Sequence, residues 1–312
     1  MSGIVPLGNA ATSVSSRFNL VSLAPSALLA TVIGGLIASG AFTGVPSLHL
    51  LLVRAGEVNV FIASVIFLFV FSVSLVLHPF QLLLVRILEG YWEDIPVLRK
   101  LRYVGIEINR RRRWELNVAR NRKDLGLRSY PPKTEDLLPT RLGNVLRSAE
   151  RQAGKQYGFS SAIEMLPRIY PSISPSLAEN IGDARDDLDV ACRMCAVLWV
   201  IALVTGGTLI ADGAVAASAG AWLAVPLSAA VFGVFCYRAS VRVAEDYGRI
   251  LYYVFDLHRR DFIRALGYVP PETPDDEKQL ITDITRWLIE RDSDVAPAQY
   301  REKPPADSAT GQ

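Results

Sequence analysis

Residues 191–211 read ACRMCAVLWVIALVTGGTLIA. After Arg193 no charge appears until Asp212, and after Asp212 none until Arg238. Looking outward, the windows from Arg17 to Arg54 and from Glu57 to Arg86 are also free of charged side chains. Each window is near or above the roughly 18 residues expected of a spanning helix. An Arg or Asp at mid-bilayer costs about 2.5–3.5 kcal/mol, so such windows are the signature of segments that enter lipid. The expected fold is therefore all-α: a polytopic membrane protein with four transmembrane helices in a 2+2 arrangement and cytoplasmic helical regions.

The spans are expected near Ala27–Phe42, Val60–Leu84, Cys195–Ala211 and Gly220–Tyr237. The short ADGAVAAS connection makes the last two an antiparallel hairpin. The expected organisation is a disordered tail over 1–16, a first transmembrane hairpin over 17–86 and a helical insert over 87–190. A second hairpin over 191–237, C-terminal helices over 238–291 and a disordered tail over 292–312 complete it. The stretch Gly44–Asn59, with Leu48, Leu51 and Leu52 on one face, suits a short helix lying in the membrane interface.

Orientation follows from the cations. Twelve Lys or Arg lie between Arg86 and Arg128, and six between Arg238 and Arg264. The loop between the first two spans holds only Arg54, and the loop between the last two holds none. The positive-inside bias then places both termini and the insert in the cytoplasm, with the plasma membrane as the expected location. Within the insert, Arg110, Arg111, Arg112 and Arg113 stand beside Trp114. Such a run is first an orientation signal and then an expected contact for anionic lipid, worth about 1 kcal/mol per cation at the surface. The net charge of +2 leaves no global footprint for nucleic acid, and no such partner is expected.

The insert is read as helical. Leu98, Leu101 and Ile108 mark a sparse apolar stripe, while the alternation of Val104, Ile106 and Ile108 permits a short strand instead. Thr140 is the expected cap of a helix whose inner face is Leu142, Val145, Leu146, Ala149 and Ala153, ending at Gly158. Ser161 and Glu164 form a capping-box pattern for the next. Leu177, Ile181, Ala184, Leu188, Ala191 and Cys195 follow at heptad spacing. That is a candidate interaction seam, available to the same chain or to a second copy in a homo-oligomer. After a further helical stretch to Leu266, Asp275 or Asp276 is the expected cap of a last helix.

Polar residues within the spans are the candidates for function. His78 and Gln81 flank Pro79, which kinks a helix by removing a backbone donor. With Thr205 and Thr208 they are the groups that could line a polar path. The spacing of Cys192 and Cys195 lacks the second pair that a zinc site needs, so buried packing is the preferred reading. The acidic run ENIGDARDDLD is expected to be a charge-paired face opposite the arginines rather than a cation site. No P-loop, nucleophile elbow, HExxH or dinucleotide fingerprint occurs, so no cofactor or familiar enzymatic mechanism is expected.

The two-plus-two order with cytoplasmic helices is similar to that of bestrophin-type anion channels. The resemblance lies in topology, and that family's pore motifs are not found here. Three functions are expected in order: a homo-oligomeric pore or transport-related protein, a scaffold or signalling subunit presenting cytoplasmic helices to a protein partner, and a lipid-modifying enzyme.

Overall fold

A computed structural model describes residues 24–42, 44–77, 81–93, 96–118, 129–211 and 218–290. The expected tails, His78 and Pro79 lie outside them. Among the described residues every regular element is helical, and Val104–Ile108 belongs to a helix rather than a strand. The helices are α1 (Ala24–Ser39), α2 (Leu48–Gly56), α3 (Val60–Leu77), α4 (Gln81–Glu89), α5 (Pro96–Val118), α6 (Arg141–Gln152), α7 (Ala162–Ile169), α8 (Pro175–Ala211), α9 (Ala224–Ala265) and α10 (Pro274–Glu290). They form two units: Met1–Leu88 with Asp186–Arg242, and Glu89–Arg185 with Val243–Gln312. We call the first apolar and the second polar.

Among the described residues two helices are long and apolar enough to cross a membrane, Pro175–Ala211 and Ala221–Ala265. A third is added if the pair Leu48–Gly56 and Val60–Ser72, bent by 107°, is one span. At 1.5 Å per residue, α8 extends about 55 Å and α9 about 63 Å, well beyond a hydrocarbon core of roughly 30 Å. Each therefore has length left for the polar unit. Where the two run side by side in the apolar unit, small residues let them approach. A Cβ on Gly233 would touch the Trp199 indole, and the Cys195 thiol faces the Gly233 carbonyl at 3.6 Å. Cys192 and Cys195 are both buried, as apolar packing requires.

The first expected span lies three residues earlier than anticipated. Among the described residues α1 covers Ala24–Ser39, about 24 Å of helix, less than a hydrocarbon core of roughly 30 Å. It stops because the chain folds back: Ala41 N–H bonds the Leu36 carbonyl and Ser47 N–H bonds the Ser39 carbonyl. Arg54 of α2 then donates to the carbonyls of Ile37 and Ala38 at 3.1 and 3.2 Å, satisfying helix-end acceptors. The expected second span is described on either side of residues 78–80, which lie outside the described residues. α3 ends at Leu77 and α4 begins at Gln81, so Val60–Leu84 is not one described helix. α3 is apolar all round, and Phe61, Phe67, Leu68 and Phe69 are all exposed. Such a helix suits lipid or another apolar surface.

The polar unit has its own core. Phe159 meets Phe255 edge-on at 4.9 Å and lies 5.7 Å from Phe262. Met165, Ile169, Ile181, Ile281 and Ile284 close around them from α7, α8 and α10. Full burial of a side chain of this kind stabilises by about 1.5–3 kcal/mol. α6 presents the expected face: Leu142, Val145, Leu146, Ala149 and Ala153 are all buried. It ends at Gln152 rather than at Gly158, because Gly154 takes a left-handed turn with φ +74°. A side chain there would meet Phe255 and Phe159. Thr140 caps α6 by accepting from Gly143 N–H at 3.1 Å, and Ser161 caps α7 from Glu164 N–H at 3.4 Å. α10 is capped by Thr273 rather than by an aspartate, its hydroxyl accepting from Asp276 N–H at 3.2 Å.

Candidate anion-binding cleft

The arginine run sits on α5, a helix whose sequence supports itself locally. Pro96 occupies the first position, where its missing N–H costs nothing. Glu107 then reaches one turn on to two guanidiniums, Arg110 at 3.0 Å and Arg111 at 3.3 Å. A carboxylate placed N-terminal to its cation in this way adds a few tenths of a kcal/mol per exposed pair. The run was expected to pair with the acidic stretch of α8; these two arginines pair within their own helix.

The inner face of α5 is fastened to the segment before α6. Asn109 is buried, and its amide donates to Pro139 O at 2.9 Å and to Gly105 O at 3.0 Å. Gly105 is needed beside it, because a Cβ there would run into Pro139. Farther along, Arg113 donates to Thr134 Oγ1 at 3.2 Å and to the carbonyl of Pro132. The proline-rich stretch PPKTEDLLP is thereby built against α5. It carries a short turn at Thr134–Asp136 and buries Leu137 and Leu138.

Between α5 and that turn lies a cavity of about 540 Å³, lined by Glu107, Arg110, Arg111, Arg113, Trp114, Asn117 and Thr134. Its size is in the range of small-ligand sites. Three guanidiniums face one carboxylate, which leaves an excess of positive charge. Planar guanidinium forks match phosphate and carboxylate oxygens, and the exposed Trp114 ring offers a flat apolar wall. The arrangement can therefore hold an anion without covalent chemistry. A second cavity of about 390 Å³ sets Lys133, Arg151 and Lys155 against Glu135 and Asp136, so its cationic excess is smaller. Behind the turn, Arg147 donates to the Tyr91 hydroxyl at 3.1 Å and approaches Asp136 at 3.8 Å. Burial raises the Tyr91 phenol above its ordinary value, so it stays protonated at neutral pH.

The other candidates lie elsewhere. His78 and Pro79 are outside the described residues, and Gln81 opens α4. Thr205 is buried, and its hydroxyl bonds the Ile201 carbonyl at 2.7 Å; Thr208 bonds the Thr205 carbonyl at 3.0 Å. In the seam, Leu177 and Ile181 pack into the polar core, Leu188 is buried in the apolar unit and Ala184 is partly exposed. Among the described residues no group of three or more His, Cys, Asp or Glu side chains is placed to hold a metal ion. Sequence reasoning found the arginines but missed Asn109 and Thr134, which carry no pattern of their own. The only trace was the proline density of the loop they touch. No family model, curated protein or solved structure matches this chain.

Proposed function

We propose that this chain is a four-span membrane scaffold or signalling subunit of the plasma membrane, with both termini and the polar unit in the cytoplasm. The observation that carries the reading is the division of labour in α8 and α9. Each has a charge-free half and a half that supplies the polar core, through Ile181 and through Leu251, Val254, Phe255 and Phe262. A folded polar unit built on membrane helices has the form of a platform for a partner. The basic bias of its α5 face suits anionic lipid headgroups or an acidic protein segment. A homo-oligomeric pore is the competing reading. Of its polar members, Thr205 and Thr208 are satisfied by their own helix, and Thr205 is buried within the chain.

Two measurements test this. Single cysteines at Ser47 or Gly213, in a cysteine-free background, should react with an impermeant maleimide from outside cells, and cysteines at Ser129 or Ser308 should not. The reverse pattern overturns the topology. Liposomes carrying folded, inserted protein should remain tight to small ions at every pH from about 5.5 to 7.5, the range in which a histidine such as His78 titrates. Ion flux that changes across that range and is lost in His78→Phe would establish the pore instead.

A further inference from the structure

The exposed side of α5 carries an unpartnered aliphatic stripe. Leu101, Val104 and Ile108 are 53, 58 and 48% exposed. Successive residues of a helix turn by about 100°, so these three fall within roughly 60° of one another. On the same count Lys100 and Arg111 border one side of the stripe and Arg112 the other. Arg110 and Arg113 lie well away from it. Arg110 and Arg111 both pair with Glu107 and line the cleft, and Arg113 is fastened to Thr134 and Pro132. The helix holds seven cations against two carboxylates. It begins 19 residues after the end of the apolar helix α3, from Leu77 to Pro96, so the chain tethers it to whatever bilayer α3 enters.

We propose that α5 docks along an anionic bilayer surface, with Leu101, Val104 and Ile108 seated at the acyl boundary. Lys100 and Arg112, one on each side of the stripe, contact the lipid phosphates, and the cleft arginines Arg110, Arg111 and Arg113 do not. The occupant follows from the pairing of features. Aliphatic side chains bordered by long cations are what an interfacial helix needs: the stripe leaves water while the charged ends of the flanking side chains reach the headgroups. The proposal rests on the reading of the chain as membrane-embedded, and it sets Arg112 apart from the three arginines that line the cleft.

The full-length protein in nanodiscs tests it, with an environment-sensitive dye on a single cysteine replacing Val104 and a control dye on a cysteine replacing the exposed Glu272. In phosphatidylglycerol-rich discs the dye at 104 should shift to the blue and be quenched by lipids with a nitroxide at the acyl boundary. In pure phosphatidylcholine it should not, and the control should be indifferent. Lys100→Gln and Arg112→Gln should each weaken docking about five-fold, the factor equivalent to ~1 kcal/mol per cation. Arg113→Gln should leave lipid dependence unchanged. Leu101→Asp with Ile108→Asp should abolish docking while helicity is retained. A dye that stays in water in both lipids overturns the proposal, as does an equal response in both. A shift that follows the number of protein copies per disc instead of the lipid assigns the stripe to a second copy and also overturns it. Nanodiscs expose both leaflets, so docking is read whatever the orientation. A failed maleimide topology and a failed docking are thus separate results.

Discussion

Gly143 approaches the carbonyl of Glu89 so closely that a Cβ would overlap its oxygen. The Thr140 hydroxyl donates to that same carbonyl at 2.6 Å while accepting from Gly143 N–H. The first turn of α6 and the end of α4 are thus joined backbone to backbone. Gly143→Ala should destabilise the protein by about 3 kcal/mol, since neither backbone can yield cheaply. Thermal melting followed by circular dichroism will show the loss, and an unchanged midpoint would mean that the contact is absent.

Asn144 is fully buried one residue on. It accepts from Leu138 N–H at 2.8 Å and donates to the carbonyls of Leu138 and Thr140, both at 2.8 Å. Asn144→Leu preserves bulk and orphans these groups, at a cost of roughly 3 kcal/mol. Asn144→Asp keeps the shape yet sets a carboxylate against two carbonyls, and should fare no better. If either variant melts like the wild type, the hydrogen-bond set does not hold α6.

Glu277, with a side chain only 5% exposed, lies between two arginines, taking Arg259 Nε at 2.6 Å and Arg260 Nε at 2.8 Å. Burial works to raise its carboxyl, but the hydrogen bonds from Arg260 and Arg259 outweigh it and hold the group below its ordinary value. A depressed carboxyl stabilises the fold fully above the unfolded-state value of about 4.5, and the gain is lost as pH falls through the lower folded value. The wild type should therefore lose stability on acidification below that point. Glu277→Gln should be about 2 kcal/mol less stable at neutral pH and should lack this part of the acid slope. Parallel slopes in melts across pH would remove Glu277 from the account.

Ile181 is 5% exposed within the polar core. Ile181→Asp should unfold that core, with a loss of roughly 3 kcal/mol or more from an unpaired buried charge. Loss of oligomeric mass with an unaltered melt would instead place the residue between protomers.

Much of the architecture was legible because it rests on periodicity. The α6 face and the caps Thr140 and Ser161 are set by short-range rules, and the structure follows them. What escaped depends on contacts distant in sequence. Nothing around Ala27–Phe42 says that Arg54 will close the helix at Ser39. Nor does composition separate Asn109 and Asn144 from solvent-facing asparagines; only Leu138 and Pro139 brought against them do so. In α5 the arginines were visible at once, but their division into outward and inward members needed the partners of Arg113.

The Arg54 clasp carries a consequence for depth. If its guanidinium leaves the carbonyls of Ile37 and Ala38, the end of α1 loses two of its hydrogen bonds, while Gly40 N–H still serves Ile37. The guanidinium cannot descend into hydrocarbon without about 2.5–3.5 kcal/mol of insertion cost. If α1 enters a bilayer as proposed, the charge moors it, and the end near Ser39 stays at headgroup level.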